Sequence, residues 1–369
     1  MNSRSEPHST LEERDRRRPG RSWWRRVGSI ALIVLAGVFV VVNRRELPAA
    51  WHTVRRADPV WLAVAAGLTI GGVWNTAGSY GSAMAAAGVP IGRRTSLRTS
   101  TVAHGLNLVV KSGGMAGLPV FLADARRAGR SAAAVVAGYL LVALAGELSF
   151  AMVLGAAIGL LVVDRHLGTA DVVATAVFVV YLGVRVGAVA LAVRNPDRVT
   201  RLTGKVRELV GRLRHEAPRT ADDPPPERGV HELRMALGAV GERPLSGLAV
   251  MAHSLLTEVV GITTLYCVLR ALGVDLGWSV PFVAYSVSVL FGIVAFVPAG
   301  LGVVELSTGA ALVEAHVPVA TATAAVVLFR SFEVWAPVAL GLLVHQFSAR
   351  TRRPGPASRR LDLASGRHG

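Results

Sequence analysis

Apolar residues in this 369-residue chain fall in long blocks, most of them long enough to cross a bilayer, and no other feature limits the possible fold as strongly. The blocks cover about 27–42, 60–86, 131–163, 171–193, 245–272 and 319–347, separated by polar or Arg-bearing turns. Water-soluble cores show shorter, alternating apolar runs, so these blocks predict an all-α polytopic membrane helix bundle with six full spans. Hydrophobic residues are 52% of the chain but aromatics only 6%. The apolar mass is therefore Ala, Val, Leu and Gly, which suits closely packed membrane helices. No soluble domain of ordinary size fits outside the blocks.

The formal net charge is +16, and the basic residues gather in a tail at 1–26, a loop at 194–244 and a second tail at 348–369. A nucleic-acid protein can be this basic, but it is not half membrane. The distribution instead predicts segments that face the cytoplasm and touch anionic head groups, with both termini inside and the chain in the cytoplasmic membrane. Trp23-Trp24-Arg25-Arg26 is an interfacial aromatic pair beside positive charge and agrees with that orientation. Asn43-Arg44-Arg45-Glu46 is a poor cleavage context, so 27–42 reads as the first span and not as a signal-peptide core. In the large loop, Val199, Leu202, Val206, Leu209, Val210 and Leu213 share one helical face ringed by Arg. Such a helix lies in the membrane interface or packs on the bundle. The one cysteine, Cys267, excludes an intramolecular disulfide and a Cys-based metal cluster.

Two segments are apolar yet broken. Residues 99–123 contain His104, Asn107, Lys111, Ser112, Gly113, Gly114, Gly117 and Pro119, and Arg residues flank both ends. Residues 279–317 contain Pro281, Pro298, Gly300, Gly302, Glu305 and Glu314, and follow a turn, 273–278, without Arg or Lys. Irregular backbone at membrane depth survives only where protein or water satisfies it, so each segment is expected to enter and leave on one side. Val110-Lys111-Ser112-Gly113-Gly114 can be laid over Val297-Pro298-Ala299-Gly300-Leu301, and the charge pattern gives the two segments opposite orientation. Inverted broken elements that meet near the midplane are the architecture of alternating-access carriers, whose exposed helix ends bind polar groups.

Pro298, Gly300, Leu301, Gly302 and Glu305, then Val317-Pro318 and Phe329-Arg330, resemble the transmembrane region of lysylphosphatidylglycerol synthases and their stand-alone, flippase-like relatives. That family's pattern is approximately Pro-Gly-Gly-Leu-Gly-x-x-Glu, a turn ending in Gly-Val-Pro, and a helix with an aromatic-Arg pair. The resemblance implies lipid translocation between leaflets, with hydropathy agreement over roughly 27–347. Synthase members add a soluble aminoacyl-transferase domain; this chain stops soon after its last apolar block, so no lysyl transfer is expected. Val304 stands where members often carry Arg, and Lys111 and Leu118-Pro119 replace the Pro and the Arg region of the first broken segment. Lys111 can supply positive charge there.

Ionisable groups at helix centres cost roughly 2.5–3.5 kcal/mol each on insertion scales, so each needs a reason. Arg330 and Glu333, at i and i+3, can lock the bundle as a neutral pair or serve a substrate. Arg330 also suits a lipid phosphate, and Glu305 follows the glycine break. These residues, with Lys111, Gly113, Gly114, Pro298, Gly300 and Gly302, form the expected head-group site. Glu147 and Glu258 are lone carboxylates in their spans; each can exchange a proton during transport or pair with Arg185 or Arg270. No His or carboxylate spacing suits a metal, no cofactor is implied, and neither a phosphate loop nor a nucleophile motif is present. The expected function is a non-enzymatic lipid flippase, with a homo-oligomer left open. A non-transporting scaffold for envelope-lipid enzymes is the alternative, and an intramembrane transferase lacks a catalytic constellation.

Overall fold

A computed structural model describes residues 53–110, 112, 114–163, 169–194, 235, 238, 239, 241–294 and 300–350. The basic tail at 1–26, the block at 27–42, the amphipathic pattern at 199–214 and the residues beyond 350 lie outside them. Lys111, Gly113 and Pro298 lie outside them as well. Among the described residues all regular structure is helical. In chain order the helices are α1 (Pro59–Ala86), α2 (Arg93–Val109), α3 (Leu118–Arg127), α4 (Ala132–Val163), α5 (Thr169–Arg194), α6 (Pro244–Ala271), α7 (Ser279–Val294), α8 (Val303–Glu314) and α9 (Val319–Arg330). A π-helical turn, Ser331–Trp335, joins α9 to α10 (Ala336–Arg350).

Among the described residues four stretches are long and apolar enough to cross a membrane: Pro59–Ala86, Ala132–Val162, Pro244–Ala271 and Val319–Gln346. Large apolar side chains on them face outward, among them Ile70 at 56% and Trp74 at 62% exposure. An outer surface of this kind has lipid as its natural solvent, and the protein is a multi-pass membrane protein.

Local chemistry sets the helix ends. Asp58 caps α1, its carboxylate accepting the Val60 N–H at 2.8 Å ahead of a permitted first-turn proline. At the other end Gly88 adopts φ +80°, and the Val89 N–H reaches back to the Met84 carbonyl at 2.9 Å. The same closure recurs after α6, where Gly273 has φ +77° and the Val274 N–H bonds the Leu269 carbonyl at 3.0 Å. A second pair of caps also matches. Gly129 and His316 have φ +64° and +65°, and the bonds Arg130 N–H to Ala125 O and Val317 N–H to Leu312 O are both 3.0 Å.

Order and length agree between the halves as well. The helices α1 and α6 each have 28 residues, α2 and α7 have 17 and 16, and α3 and α8 have 10 and 12. The 32 residues of α4 are matched by the 12, 5 and 15 of α9, the π turn and α10. Packing follows the same correspondence: α2 lies on α10 as α7 lies on α4, and α3 on α4 as α8 on α9.

At the centre α1 and α6 run antiparallel along their full length. The Asp58 N–H bonds the Ala271 carbonyl at 2.8 Å, and Arg243 reaches the Ala85 carbonyl at 2.7 Å from the opposite end. Midway, Asn75 donates to the His253 carbonyl at 2.7 Å and to Thr257 Oγ1 at 2.8 Å. The His253 ring presses so close to Gly78 that a Cβ there would lie 2.6 Å from it. The buried core repeats accordingly. One cluster joins Leu265, Tyr285, Leu312 and Phe329, and another joins Met84, Ala103, Phe121 and Tyr139.

One boundary differs from the sequence expectation. The first broken segment is expected over 99–123, with Arg93, Arg94 and Arg98 marking the return to the cytoplasm before it, but α2 already starts at Arg93. Arg93 and Arg94 are exposed at the helix start, and Arg98 is neutralised by Asp124 at 3.1 Å. Charge alone therefore gives no reason for the helix to begin later.

Candidate functional site

Helix α7 spans Ser279–Val294, and α8 is entered through Gly300 and Gly302, whose φ angles are +66° and +83°. A Cβ on Gly300 would sit 2.4 Å from Val304 Cγ2, so both its φ and its surroundings call for glycine. Glu305, three residues into α8, turns back on this helix start. Its Oε2 accepts the Gly302 N–H at 2.6 Å, a favourable position for a carboxylate at the positive end of a helix. Its Oε1 accepts Arg330 Nε at 2.9 Å, across 25 residues of sequence. Arg330 also donates from a terminal nitrogen to Glu333 Oε2 at 3.0 Å.

Glu305 and Arg330 are only 7% and 4% exposed, whereas the Glu333 side chain is 29% exposed. Arg330 is the last residue of α9 and Glu333 lies inside the π turn. Such one-turn π bulges displace side chains from the regular helical register, and they concentrate at functional positions. A second polar pair adjoins this one. The Tyr285 hydroxyl donates to Glu258 Oε2 at 2.9 Å, and the Tyr285 ring stands edge-on to Phe329. Glu333 lies close enough to act electrostatically on both Glu258 and Tyr285. Three carboxylates and one guanidinium thus share a buried region built from α6, α7, α8 and α9.

Among the described residues the other break holds only neutral polar groups. The Asn107 side-chain amide donates to the Tyr139 hydroxyl at 2.8 Å and its oxygen accepts the Gly117 N–H at 2.8 Å, while the Tyr139 hydroxyl donates to the Gly114 carbonyl at 2.7 Å. These bonds satisfy backbone groups that the helix break releases. Among the described residues charge appears at the outer ends of this hairpin, where Asp124 bridges Arg98 and Arg130 at 3.1 and 2.8 Å.

Gly300, Gly302, Glu305, Arg330 and Glu333 therefore come together, with Glu258 beside them, and Gly114 belongs to the other break. Glu147 stands apart on α4, paired with Arg185 of α5 at 3.0 Å and accepting from the Tyr181 hydroxyl at 3.1 Å. Arg270 pairs with Asp275 and lies over the Trp61 ring at 5.6 Å. Sequence reasoning passed over the tyrosines. All five stand in apolar runs, and a buried tyrosine hydroxyl needs a partner. That rule points to Tyr139, Tyr181 and Tyr285, each of which holds a polar cluster together.

The broken segments, the glycine pair and the Glu305–Arg330 pair all fall within residues 27–341, the range over which the chain matches the family model for the lysylphosphatidylglycerol synthase TM region. Comparison with curated proteins finds no match. The match spans most of the chain and includes both halves of the bundle, so the protein belongs to the family of the lysylphosphatidylglycerol synthase TM region and to its lipid-handling membrane proteins.

Proposed function

We propose that this protein is a non-enzymatic flippase that carries a polar lipid between leaflets, its head group binding at Gly300, Gly302, Glu305, Arg330 and Glu333. The observation that carries the reading is the buried Glu305–Arg330–Glu333 set beside a broken helix. Arg330 lies 11 residues beyond Val319, about 16 Å along the helix at 1.5 Å per residue, roughly half of a 30 Å hydrocarbon core. A structural ion pair can sit anywhere in a bundle. One at mid-depth, next to a helix start and a π turn, is suited to an exchange in which a lipid phosphate replaces a carboxylate on the guanidinium.

In this reading the hairpins α2–α3 and α7–α8 are re-entrant and oppositely directed, and six full spans include the block at 27–42. The antiparallel α1/α6 pair supports the inversion, because α2 begins at one end of that pair and α7 at the other. Both termini and the loop at 194–244 face the cytoplasm, where their Arg residues meet anionic lipids.

The test is purified protein in liposomes that carry fluorescent phospholipid or isoprenoid lipid, with inner-leaflet probe detected as it becomes accessible to an external quencher. Wild-type protein is expected to expose the inner-leaflet probe and Arg330→Ala to return the rate to that of protein-free liposomes. Wild-type vesicles that leave the inner-leaflet pool of every probe protected would refute the reading.

A further inference from the structure

Of the three carboxylates in the polar region, two have a counter-charge and one does not. Glu305 bonds Arg330 and the Gly302 N–H, and Glu333 bonds Arg330. Glu258 is 8% exposed and bonds the hydroxyl of Tyr285; among the described residues no cation pairs with it. The helices packed against α6 are α1, α4, α7 and α9, and they bring no free cation to it among the described residues. Helix α1 carries no ionisable side chain except Tyr80, which packs on Phe121 and Tyr139 far from this level. Of the two on α4, Tyr139 serves the other break and Glu147 is engaged by Arg185. Helix α7 contributes Tyr285, and α9 with its π turn contributes Arg330, spent on Glu305 and Glu333, and Glu333 itself, whose charge acts on Glu258. On α6 itself His253 is held by Asn75 more than one turn away.

We propose that Glu258 takes up and releases a proton during the lipid cycle, coupling head-group movement to the proton gradient across the membrane. This rests on the flippase reading and adds its energy source. The link runs through Glu333: when a head group displaces it from Arg330, its charge is no longer offset while it still acts on buried Glu258, and two interacting carboxylates in low dielectric are best accommodated when one binds a proton. Tyr285 positions Glu258 for this exchange. A Cβ on Gly261 would lie 2.4 Å from the Tyr285 ring, so the ring has little room to leave.

Two measurements test this in proteoliposomes of the full chain. Lipid movement is followed with and without an imposed pH difference of one unit; the wild-type rate is expected to change by up to about tenfold, the ratio of proton activities on the two sides. In Glu258→Gln, which keeps an acceptor for Tyr285, that ratio is expected to fall to one. A wild-type rate indifferent to the gradient, or a Glu258→Gln variant that keeps its response, overturns the proposal. Difference infrared spectroscopy reads the carboxyl directly, whether or not lipid moves. A pH-dependent carboxylic C=O band that Glu258→Gln abolishes and Tyr285→Phe displaces supports the proposal, and its absence in wild-type protein rejects it. Lipid movement without any gradient tests the flippase reading alone, so the two failures are distinguishable.

Discussion

Arg330→Ala should destabilise the protein by about 3–5 kcal/mol, the usual cost of removing one partner from a buried ion pair and leaving the other uncompensated. Two carboxylates lose their cation at once, Glu305 at 2.9 Å and Glu333 at 3.0 Å, and Glu305 is almost fully buried. Thermal unfolding in detergent measures the loss. The variant cannot by itself separate a lock from a binding site, but neutral replacement of all three groups can. Arg330→Met combined with Glu305→Gln and Glu333→Gln removes every uncompensated charge, and buried ion sets exchanged for neutral groups of similar volume are often close to neutral in stability. The triple variant should regain most of the lost stability and still fail to move lipid. If it folds and moves lipid at the wild-type rate, the ions serve only to hold the helices.

Gly117→Ala should damage the opposite break by about 2–4 kcal/mol, combining an overpacked contact with a lost hydrogen bond. The added methyl would lie 2.6 Å from Ala103 Cβ, 2.7 Å from the Ala103 carbonyl and 2.7 Å from the Tyr139 hydroxyl. The carbonyl belongs to α2 backbone and cannot yield easily, so Tyr139 must move. Moving it breaks its bonds to Gly114 and Asn107, two of the three that close the hairpin tip. The contrast is Gly155→Ala on α4, where nothing lies within 4 Å of the new Cβ. There the greater helix propensity of alanine should leave stability unchanged or raise it by up to about 1 kcal/mol. Equal effects at the two sites would mean that the tip is not closed as described.

Much of the fold was legible because a bilayer imposes length. Spans expected at 60–86, 131–163 and 245–272 end within a residue of α1, α4 and α6, since Pro59, Pro244, Gly88 and Gly273 punctuate them. The beginning of α2 was not legible, because Arg93, Arg94 and Arg98 have the composition of a loop and only the Asp124 contact explains a helix there. In the site, Arg330 and Glu333 were legible as neighbours because helical spacing is local. The contact between Arg330 and Glu305 was not, because it depends on α8 and α9 folding back on one another about residues 315–318. The π turn leaves no mark in composition. Tyr285 and Tyr139 had a readable signal, a hydroxyl in an apolar run, but nothing in the sequence names their partners.

A site at mid-depth serves both leaflets only when it can be approached from either side, so the carrier mechanism requires the two halves to be opposed across the membrane. Impermeant thiol labelling of intact cells tests this most directly. Ala128, beyond α3, and Ser279, at the start of α7, are both exposed, and Cys267→Ser removes the one native thiol. Ser279→Cys should label in intact cells, and Ala128→Cys only after the membrane is opened. Labelling of both positions from the same side would contradict the inverted arrangement, and the carrier mechanism with it.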